Sequence, residues 1–370
     1  AAILDEIGLK ESDRIPNKDF VLRYRVAQDR VLGTLVTQRE GGYFTLMLQP
    51  PRTLANLPEQ PREMVFVVDC SGSMQGEPLA ICQRAMRRCL QRLSRNDTFN
   101  VSRFSESASS LGSRPVAATP ANIRKGLRYV DDLRAGGGTM MMRGIQAALR
   151  NTGGGERRRI VSFMTDGYIG NEADILAEIH ANVGDTRIFS FGIGSSVNRY
   201  LLERLAEAGR GVSAFVGLSE SSERAVDALY RRVEQPALTD LAIDWDGITV
   251  RDAFPAPLPD LFVGRPVIVT GRFEGGGQRT IRVHGKRAGE PTTLEIPVDF
   301  DAPGADHAAL GRVWARTKIA HLKDGLVKGA DPQEMRQAIT DIALRHNLVS
   351  DFTAFVAVDS TRVTEGDHGT

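Results

Sequence analysis

The sequence predicts an α/β fold in which a doubly wound, mainly parallel sheet is inserted in a β-sandwich domain that ends in helices. Short alternating segments occupy residues 20–50, buried apolar runs alternate with helical stretches from about 64 to 216, and alternating segments return beyond about 236. We therefore divide the chain into three parts. They are residues 1–59, the first strands of the sandwich; residues 60–235, the α/β domain; and residues 236–370, the remainder of the sandwich with two helices and a final strand.

The central part has the pattern of a parallel sheet with helices on both faces. Its apolar runs are MVFVV, TFNVSRF, IVSFM, RIFSFGIG and GVSAFV, which are typical of strands buried on both sides. After the first run, apolar residues recur at helical spacing from Cys82 to Leu93. After the fourth, YLLERLAEAGRG predicts an amphipathic helix that Gly209 and Gly211 end.

The flanking parts predict antiparallel strands that belong together. The first part offers LRYRV, VLGTLVTQ and YFTLMLQPP, and about three short strands cannot bury a stable core alone. We therefore expect residues 20–50 and 237–300 to form one sandwich, which also pairs strand edges that would otherwise be open. Of the two helices that follow, the second should begin at Asp331-Pro332 and end at Asn347. FTAFVAV should be a last strand, with Phe352 and Phe355 as anchors.

Composition argues against several classes of partner. The 370 residues include 47 basic and 46 acidic side chains, a balance that gives no field to recruit nucleic acid or an anionic membrane. We interpret the run Arg157–Arg159 as a solvated face. No apolar run of about 18 residues occurs that could span a membrane. The chain begins Ala1-Ala2 without a methionine, so we expect it to be processed or to be part of a longer protein.

Oxygen-bearing side chains follow two of the predicted parallel strands and one glycine-rich loop. Asp69, Ser71 and Ser73 come after MVFVV, Asp166 comes after IVSFM, and Thr139 follows three glycines. Loops at the carboxyl ends of the strands form the ligand crevice of such a sheet. Carboxylates and hydroxyls without His or Cys favour Mg²⁺, Mn²⁺ or Ca²⁺ over zinc. The alternative is that the two serines cap the following helix and the aspartate lies in a turn.

This pattern resembles a known family. Asp69-x-Ser71-x-Ser73, then Thr139, then Asp166 resembles the complete metal-ion-dependent adhesion site of the von Willebrand factor A domain. RIFSFGIGSSVNRYLLERLAEAGRG and IALRHNLVSDFTAFVAV resemble bacterial proteins that pair a vault/inter-α-trypsin domain with an A domain, relatives of the inter-α-trypsin inhibitor heavy chains. The resemblance covers roughly residues 18–360, and we expect the vault/inter-α-trypsin domain itself to be absent from this chain.

The resemblance implies a role for each site residue. Ser71 and Ser73 would bind Mg²⁺ directly, with Mn²⁺ or Ca²⁺ as possible substitutes. Asp69 would act directly or through water, Asp166 mainly through water, and Thr139 would change between the two as ligand binds. Two carboxylates only balance a divalent ion, so an open position keeps affinity for an Asp or Glu of a protein partner. A family difference is Cys70, where a small or β-branched residue is usual; we expect it to point away from the metal.

The resemblance further implies a location at the cell envelope or outside the cell, and a last A-domain helix, residues 219–234, that moves when ligand binds. The identity of the partner, the native metal and the oligomeric state stay open.

We therefore predict a metal-dependent protein-binding module that is not an enzyme. One alternative is a structural or assembly scaffold in which the metal is secondary. Another is a metal-assisted hydrolase, which would need a positioned base or nucleophile beside the metal. Gly192-Ile193-Gly194 lacks the third glycine and the acidic residue of a dinucleotide site. The three consecutive methionines after Thr139 leave open an apolar rim around the metal.

Overall fold

The computed structural model describes most of the chain. The described residues are 30–51, 60–150, 157–166, 171–194, 197–217, 236–301, 309–327 and 329–355. The predicted strand LRYRV, the helix at 219–234 and residues 356–358 of the last strand lie outside these ranges. The boundaries predicted at 59/60 and 235/236 adjoin two segments that also lie outside them, and they stay predictions.

Strands occur in all three parts of the chain. In chain order they are β1 (Leu32–Gln38), β2 (Tyr43–Gln49), β3 (Arg62–Asp69), β4 (Thr98–Phe104), β5 (Ala108–Ser110), β6 (Val116–Ala117), β7 (Arg158–Thr165), β8 (Arg187–Ile193), β9 (Ser213–Val216), β10 (Pro236–Asp244), β11 (Thr249–Phe254), β12 (Leu261–Phe262), β13 (Val267–Glu274), β14 (Gln278–Arg287) and β15 (Glu290–Asp299). The helices are α1 (Glu77–Gln91), α2 (Pro120–Asp131), α3 (Met141–Arg150), α4 (Glu172–Asn182), α5 (Arg199–Ala208), α6 (Ala309–Val327) and α7 (Pro332–Arg345). None of these described helices is long and apolar enough to cross a membrane.

The central sheet has the doubly wound order β5-β4-β3-β7-β8-β9, with β6 also paired to β4. Strands β3, β4, β7, β8 and β9 are parallel, whereas β5 and β6 run antiparallel to β4. Apolar residues cover both faces, one packed against α1 and α2 and the other against α3, α4 and α5. The chain passes from β3 to β4 on one side and later to β7 on the other, so β3 lies at a topological switch point.

The sandwich is built from both flanking parts of the chain. Its sheets have the orders β1-β2-β13-β11 and β12-β10-β14-β15. β2 pairs antiparallel with β13, more than 200 residues later, from Leu48 opposite Val267 to Tyr43 opposite Arg272. Phe44 and Leu46 of β2 pack in one core with Ile281 of β14. The predicted fold class is therefore confirmed: the α/β domain is inserted in a sandwich whose strands come from both sides of it.

The helices that follow the sandwich pack on it and on each other. Asp331 caps α7 as predicted, since its carboxylate accepts hydrogen bonds from the N–H groups of Gln333 and Glu334, both at 2.9 Å. The helix ends at Arg345, two residues before the predicted end, and Asn347 adopts a left-handed conformation with φ of 52°.

The anchors predicted for the last strand are wrong. Ser350 and Thr353 form a local bridge rather than part of a sheet. Phe355 is 71% exposed, and the Phe352 ring lies under the guanidinium of Arg336 in α7. The chain makes a tight local turn here, so neither the Phe352 ring nor the Phe355 ring is buried in a hydrophobic core.

The α/β domain and the sandwich are packed together through buried side chains. Phe262 of β12 enters the core of the α/β domain, where its ring lies 5.1 Å from that of Phe189. Arg187 of β8 donates from Nε to Asp260 at 2.8 Å, and both side chains are buried. Arg204 of α5 donates to the carbonyl oxygen of Ala320 in α6 at 2.9 Å. The junction therefore combines apolar packing with charge-assisted hydrogen bonds.

The interpretation of the arginine run as a solvated face is wrong for one of its members. Arg159 is buried, pairs with Glu63 and donates to the carbonyl oxygen of Ala148. Its position near the start of β7, beside Glu63 of β3 in the parallel register, explains the difference. Sequence pattern alone does not show which neighbour a strand acquires.

Candidate metal centre

The parallel register of β3 and β7 brings the two predicted carboxylates to one edge of the sheet. Asp69 is the last residue of β3 and Thr165 the last of β7, and Val68 lies opposite Met164. Asp166 follows directly. Ser71 and Ser73 lie on the short turn between β3 and α1, so all of these side chains collect at the carboxyl end of two neighbouring strands.

The side-chain oxygens form a connected chain. The hydroxyl oxygens of Ser71 and Ser73 are 3.1 Å apart, and the Ser73 hydroxyl donates to Oδ1 of Asp166 at 2.9 Å. Mg²⁺ takes six oxygen ligands at 2.0–2.1 Å, so adjacent ligands of one ion lie about 2.9 Å apart. The spacing and the all-oxygen chemistry of these donors therefore fit a small divalent cation.

Asp69 is held in place by two hydrogen bonds. Its Oδ1 accepts from the N–H of Ser71 at 2.8 Å, and its Oδ2 accepts from the hydroxyl of Thr165 at 2.6 Å. Burial raises the pKa of Asp69, the hydrogen bonds from Thr165 and Ser71 oppose that rise, and the charge of Asp166 adds to it. Burial also raises the pKa of Asp166 against the hydrogen bond from Ser73. Both carboxylates thus lie where positive charge would be stabilising.

Backbone hydrogen bonds place the loop that carries Thr139. The N–H of Gly72 donates to the carbonyl oxygen of Gly137 at 3.0 Å, and the N–H of Gly136 donates to that of Cys70 at 2.8 Å. Gly137 has φ of 82°, a left-handed conformation that favours glycine. Thr139 is half-buried and lies in a loop that these backbone hydrogen bonds hold against the turn carrying Ser71 and Ser73. The side-chain oxygens of Ser71, Ser73 and Asp166 are linked to one another, whereas the carboxylate of Asp69 accepts from the backbone N–H of Ser71.

Neither serine acts as a helix cap. Ser71 precedes the short turn Gly72–Met74 without a side-chain capping bond, and the residue that caps α1 is Gly76. The capping alternative for these serines is therefore wrong. Cys70 is fully buried in the apolar core on the α1 face, as expected for a residue that points away from the site, and burial raises the pKa of its thiol to about 12.

Sequence reasoning missed two residues of this region. Thr165 falls at the predicted strand end, but the sequence pattern assigns it no role, although its hydroxyl orients Asp69. Glu106 packs on the glycine loop, since a Cβ added to Gly137 would lie 3.2 Å from its Cδ. The side chain of Met140 is 47% exposed next to Thr139, whereas that of Met141 is buried, so only part of the suggested methionine rim faces outward.

In the described ranges, no group of three or more His, Cys, Asp or Glu side chains has the geometry of a metal site. The predicted donor set combines two carboxylates with hydroxyl groups, and its role as a metal site stays a prediction.

A family model described as the von Willebrand factor type A domain matches residues 62–215. These residues are similar to the von Willebrand factor type A domain, and we refer to them as the A domain. The match begins at the first residue of β3 and ends within β9, so it covers the doubly wound sheet and the candidate metal centre. Members of this family are generally protein-interaction modules.

Similarity to curated relatives extends beyond the A domain. The chain is 25% identical over 371 residues to inter alpha-trypsin inhibitor heavy chain 4 of Mus musculus, covering 94% of this chain and 39% of that protein. It is 27% identical over 315 residues to a von Willebrand factor A domain-containing protein of Dictyostelium discoideum, covering 82% of this chain and 15% of that protein. The chain thus spans well under half the length of both relatives.

Solved structures share the fold. The chain is similar to a von Willebrand factor type A protein from Catenulispora acidiphila, with a TM-score of 0.56 and 15% identity over 88% of this chain and 89% of that one. It is also similar to the ArnB paralog VWA2 from Sulfolobus acidocaldarius, with a TM-score of 0.50 and 15% identity over 86% of this chain and 91% of that one.

Proposed function

We propose that this chain is a metal-dependent protein-binding module that captures an Asp or Glu side chain of a protein partner through a divalent cation. The cation would be Mg²⁺, or alternatively Mn²⁺ or Ca²⁺. Its ligands would be Asp69, Ser71, Ser73, Thr139 and Asp166. The observation that carries the proposal is the chain of oxygens from Ser71 through Ser73 to Asp166, with spacings of 3.1 and 2.9 Å.

The charges of the site favour an acidic ligand. Asp69 and Asp166 balance one divalent ion, and the hydroxyl donors add no charge. A bound cation would supply a positive centre with a coordination position for one further anionic oxygen. Asp69, fully buried and held by Thr165 and Ser71, keeps the donors in place, while Ser73 lies at the exposed side where a partner can approach.

We further propose that the chain is not an enzyme. Metal-assisted hydrolysis requires a base or nucleophile positioned beside the metal. In the described part of the site, the hydroxyl of Ser73 is bonded to the carboxylate of Asp166 and that of Thr165 to Asp69, so these two hydroxyls act as a ligand or orient one rather than as free nucleophiles.

A peptide library displayed on phage tests the proposal even though the partner is unidentified. Peptides would be selected on the immobilised full chain in Mg²⁺ and eluted with EDTA. We expect enriched sequences to share an Asp or Glu, and expect binding to be lost when that residue is changed to Asn or Gln. The Ser71→Ala, Ser73→Ala double variant should capture no such peptides, since it lacks two neutral ligands.

Ser107→Ala is the matched control, because Ser107 is an exposed serine of a neighbouring loop. It should bind the same peptides as the unmodified chain. Peptides that elute with EDTA equally well from the double variant would contradict the assignment of the site. A scaffold role would give a different result. Light scattering would show self-association that neither EDTA nor the double variant changes, and the selection would enrich no peptide whose binding requires an Asp or Glu.

A further inference from the structure

A cavity of about 960 Å³ lies between the A domain and the sandwich, at the opposite edge of the central sheet from the metal centre. Residues at the amino ends of β3, β7 and β8 line it on one side, and residues of β10 and β14 line it on the other. Its basic lining residues are Arg157, Arg158, Arg159, Arg187 and Lys286. The arginine run of the sequence is therefore part of a concave surface shared by two domains.

Three of these five cations are matched by carboxylates. The pairs are Arg159 with Glu63, Arg187 with Asp260 and Asp240, and Lys286 with Asp240. Lys286 shares Asp240 with Arg187 and is exposed, so its charge is only partly balanced. The other two make their described hydrogen bonds to uncharged oxygens. Arg157 donates from Nε to the carbonyl oxygen of Asn96 at 2.9 Å, and Arg158 donates from Nη2 to the side-chain oxygen of Gln60.

Arg158 is the more informative of the two because it is half-buried at the junction. Burial lowers the pKa of its guanidinium, and the charges of Arg187 and Arg62 add to the lowering, while Asp260 and Asp240 oppose it. A cation in such surroundings gains from an additional anion. Guanidinium groups present two parallel donors that match the oxygens of a phosphate, and a lysine adds a point charge.

We propose that this cavity binds the phosphate groups of a small molecule, with Arg158 of the A domain and Lys286 of the sandwich as the contacting cations. Ligand pockets commonly measure about 300–1,000 Å³, so the space suits a nucleotide-sized or polyphosphate ligand better than a single inorganic phosphate. Because its walls belong to two domains, such a ligand would stabilise their junction. The site does not depend on the metal centre.

The test uses the full chain in a buffer that contains EDTA, so that cations at the metal centre do not contribute. Thermal unfolding and calorimetric titration would be recorded with ATP, tripolyphosphate and inorganic phosphate, each against sodium chloride of equal ionic strength. We expect ATP or tripolyphosphate to raise the unfolding temperature when chloride does not, since a ligand that binds only the folded state stabilises it. Stabilisation by ATP but not by tripolyphosphate would identify the ligand as a nucleotide. Stabilisation by both would show that the cavity recognises the polyphosphate group.

Three variants locate the effect. Arg158→Gln should weaken binding by about tenfold or more, because it removes a charge-assisted bidentate donor. Lys286→Gln, which changes an exposed side chain, should weaken it to a smaller but measurable extent. Arg124→Gln removes an equal charge from the exposed face of α2 and should bind as the unmodified chain does.

Equal stabilisation by sodium chloride, or equal affinity in all three variants, would overturn the proposal. Binding of inorganic phosphate without ATP or tripolyphosphate would contradict the size argument. If Arg158→Gln does not fold, Lys286→Gln and Arg158→Lys decide the matter: the proposal is wrong if both bind the polyphosphate with unchanged affinity.

Discussion

The hydroxyl of Thr165 donates a hydrogen bond of 2.6 Å to Oδ2 of Asp69, and both side chains are fully buried. The contact joins the last residues of two parallel strands that are 96 positions apart in the sequence. It fixes the orientation of the Asp69 carboxylate. The other oxygen of that carboxylate, Oδ1, accepts a hydrogen bond from the N–H of Ser71. Thr165 is thus a positioning residue of the proposed metal centre.

Thr165→Val should make metal binding more sensitive to acid. Burial already raises the pKa of Asp69, and the hydrogen bond from Thr165 opposes that rise. Removing the donor should raise the pKa further, so protonation would compete with the metal at a higher pH. Affinity for Mn²⁺, followed by electron paramagnetic resonance from neutral to mildly acidic pH, should fall earlier in the variant. Ser107→Ala is the control, and coincident pH profiles for Thr165→Val and the unmodified chain would contradict the role.

Asp69→Asn should stabilise the metal-free protein near neutral pH. A carboxyl whose pKa is higher in the folded state binds protons more tightly there, so its ionisation costs stability above that pKa, and the cost disappears as the pH falls through it. The amide removes the cost, and we expect a gain of roughly 0.5–2 kcal/mol. Chemical denaturation in EDTA at several pH values measures it.

The difference between Asp69→Asn and the unmodified chain should shrink on acidification, and added Mg²⁺ should stabilise only the unmodified chain. Lower stability of the metal-free variant at neutral pH would show that the hydrogen bonds to Asp69 outweigh its burial.

The placement of the proposed oxygen donors could be predicted from the sequence because each follows a recognisable strand or glycine loop, and the carboxyl ends of parallel strands meet at one edge. The roles of Thr165 and Glu106 could not, because they depend on strand register and loop packing. The solvated face assigned to Arg157–Arg159 failed at Arg159 for the same reason: its partner Glu63 comes from a neighbouring strand.

The sandwich was predictable because two sets of alternating segments each needed the other to bury a core. The position of Phe262 was not. The segment LFVG has no feature that shows whether its phenylalanine packs within the sandwich or against the A domain. In the structure, the Phe262 ring lies in the A-domain core beside Phe189. Contacts between domains follow from their relative placement, which local pattern does not encode.

Phe262→Ala should destabilise the A domain although residue 262 lies outside the matched residues 62–215. The ring is 4% exposed, and removing a buried Phe costs about 3–5 kcal/mol. Denaturant unfolding followed by hydrogen exchange in β8 would measure the loss. Phe352→Ala, at a ring that is 36% exposed, should change stability much less. A fragment of residues 60–235 lacks Phe262 and should be less stable than the same residues in the full chain. Equal protection of the β8 amides from hydrogen exchange in the fragment and in the full chain would contradict this.

Deletion of residues 1–59 should unfold the sandwich while the A domain persists. The deletion removes β1 and β2, so β13 loses its partner from Val267 to Arg272, and the core loses Phe44, Leu46 and Leu48, all fully buried. An unpaired β13 edge would also promote aggregation. Limited proteolysis and hydrogen exchange should show cleavage and fast exchange beyond β10, with protection retained in β3, β4 and β7.

Point variants separate loss of the core from loss of chain length. Leu46→Asp, in the full chain, places a charge in the sandwich core and should reproduce the effect of the deletion. Thr34→Asp, at an exposed position of β1, introduces the same charge on the surface and should leave the sandwich folded. The A domain should keep its Mn²⁺ affinity in both variants, because the metal centre lies at the far edge of its sheet. A deletion variant whose residues beyond 236 stay soluble and unfold cooperatively would show that the carboxy-terminal strands form a core without β1 and β2.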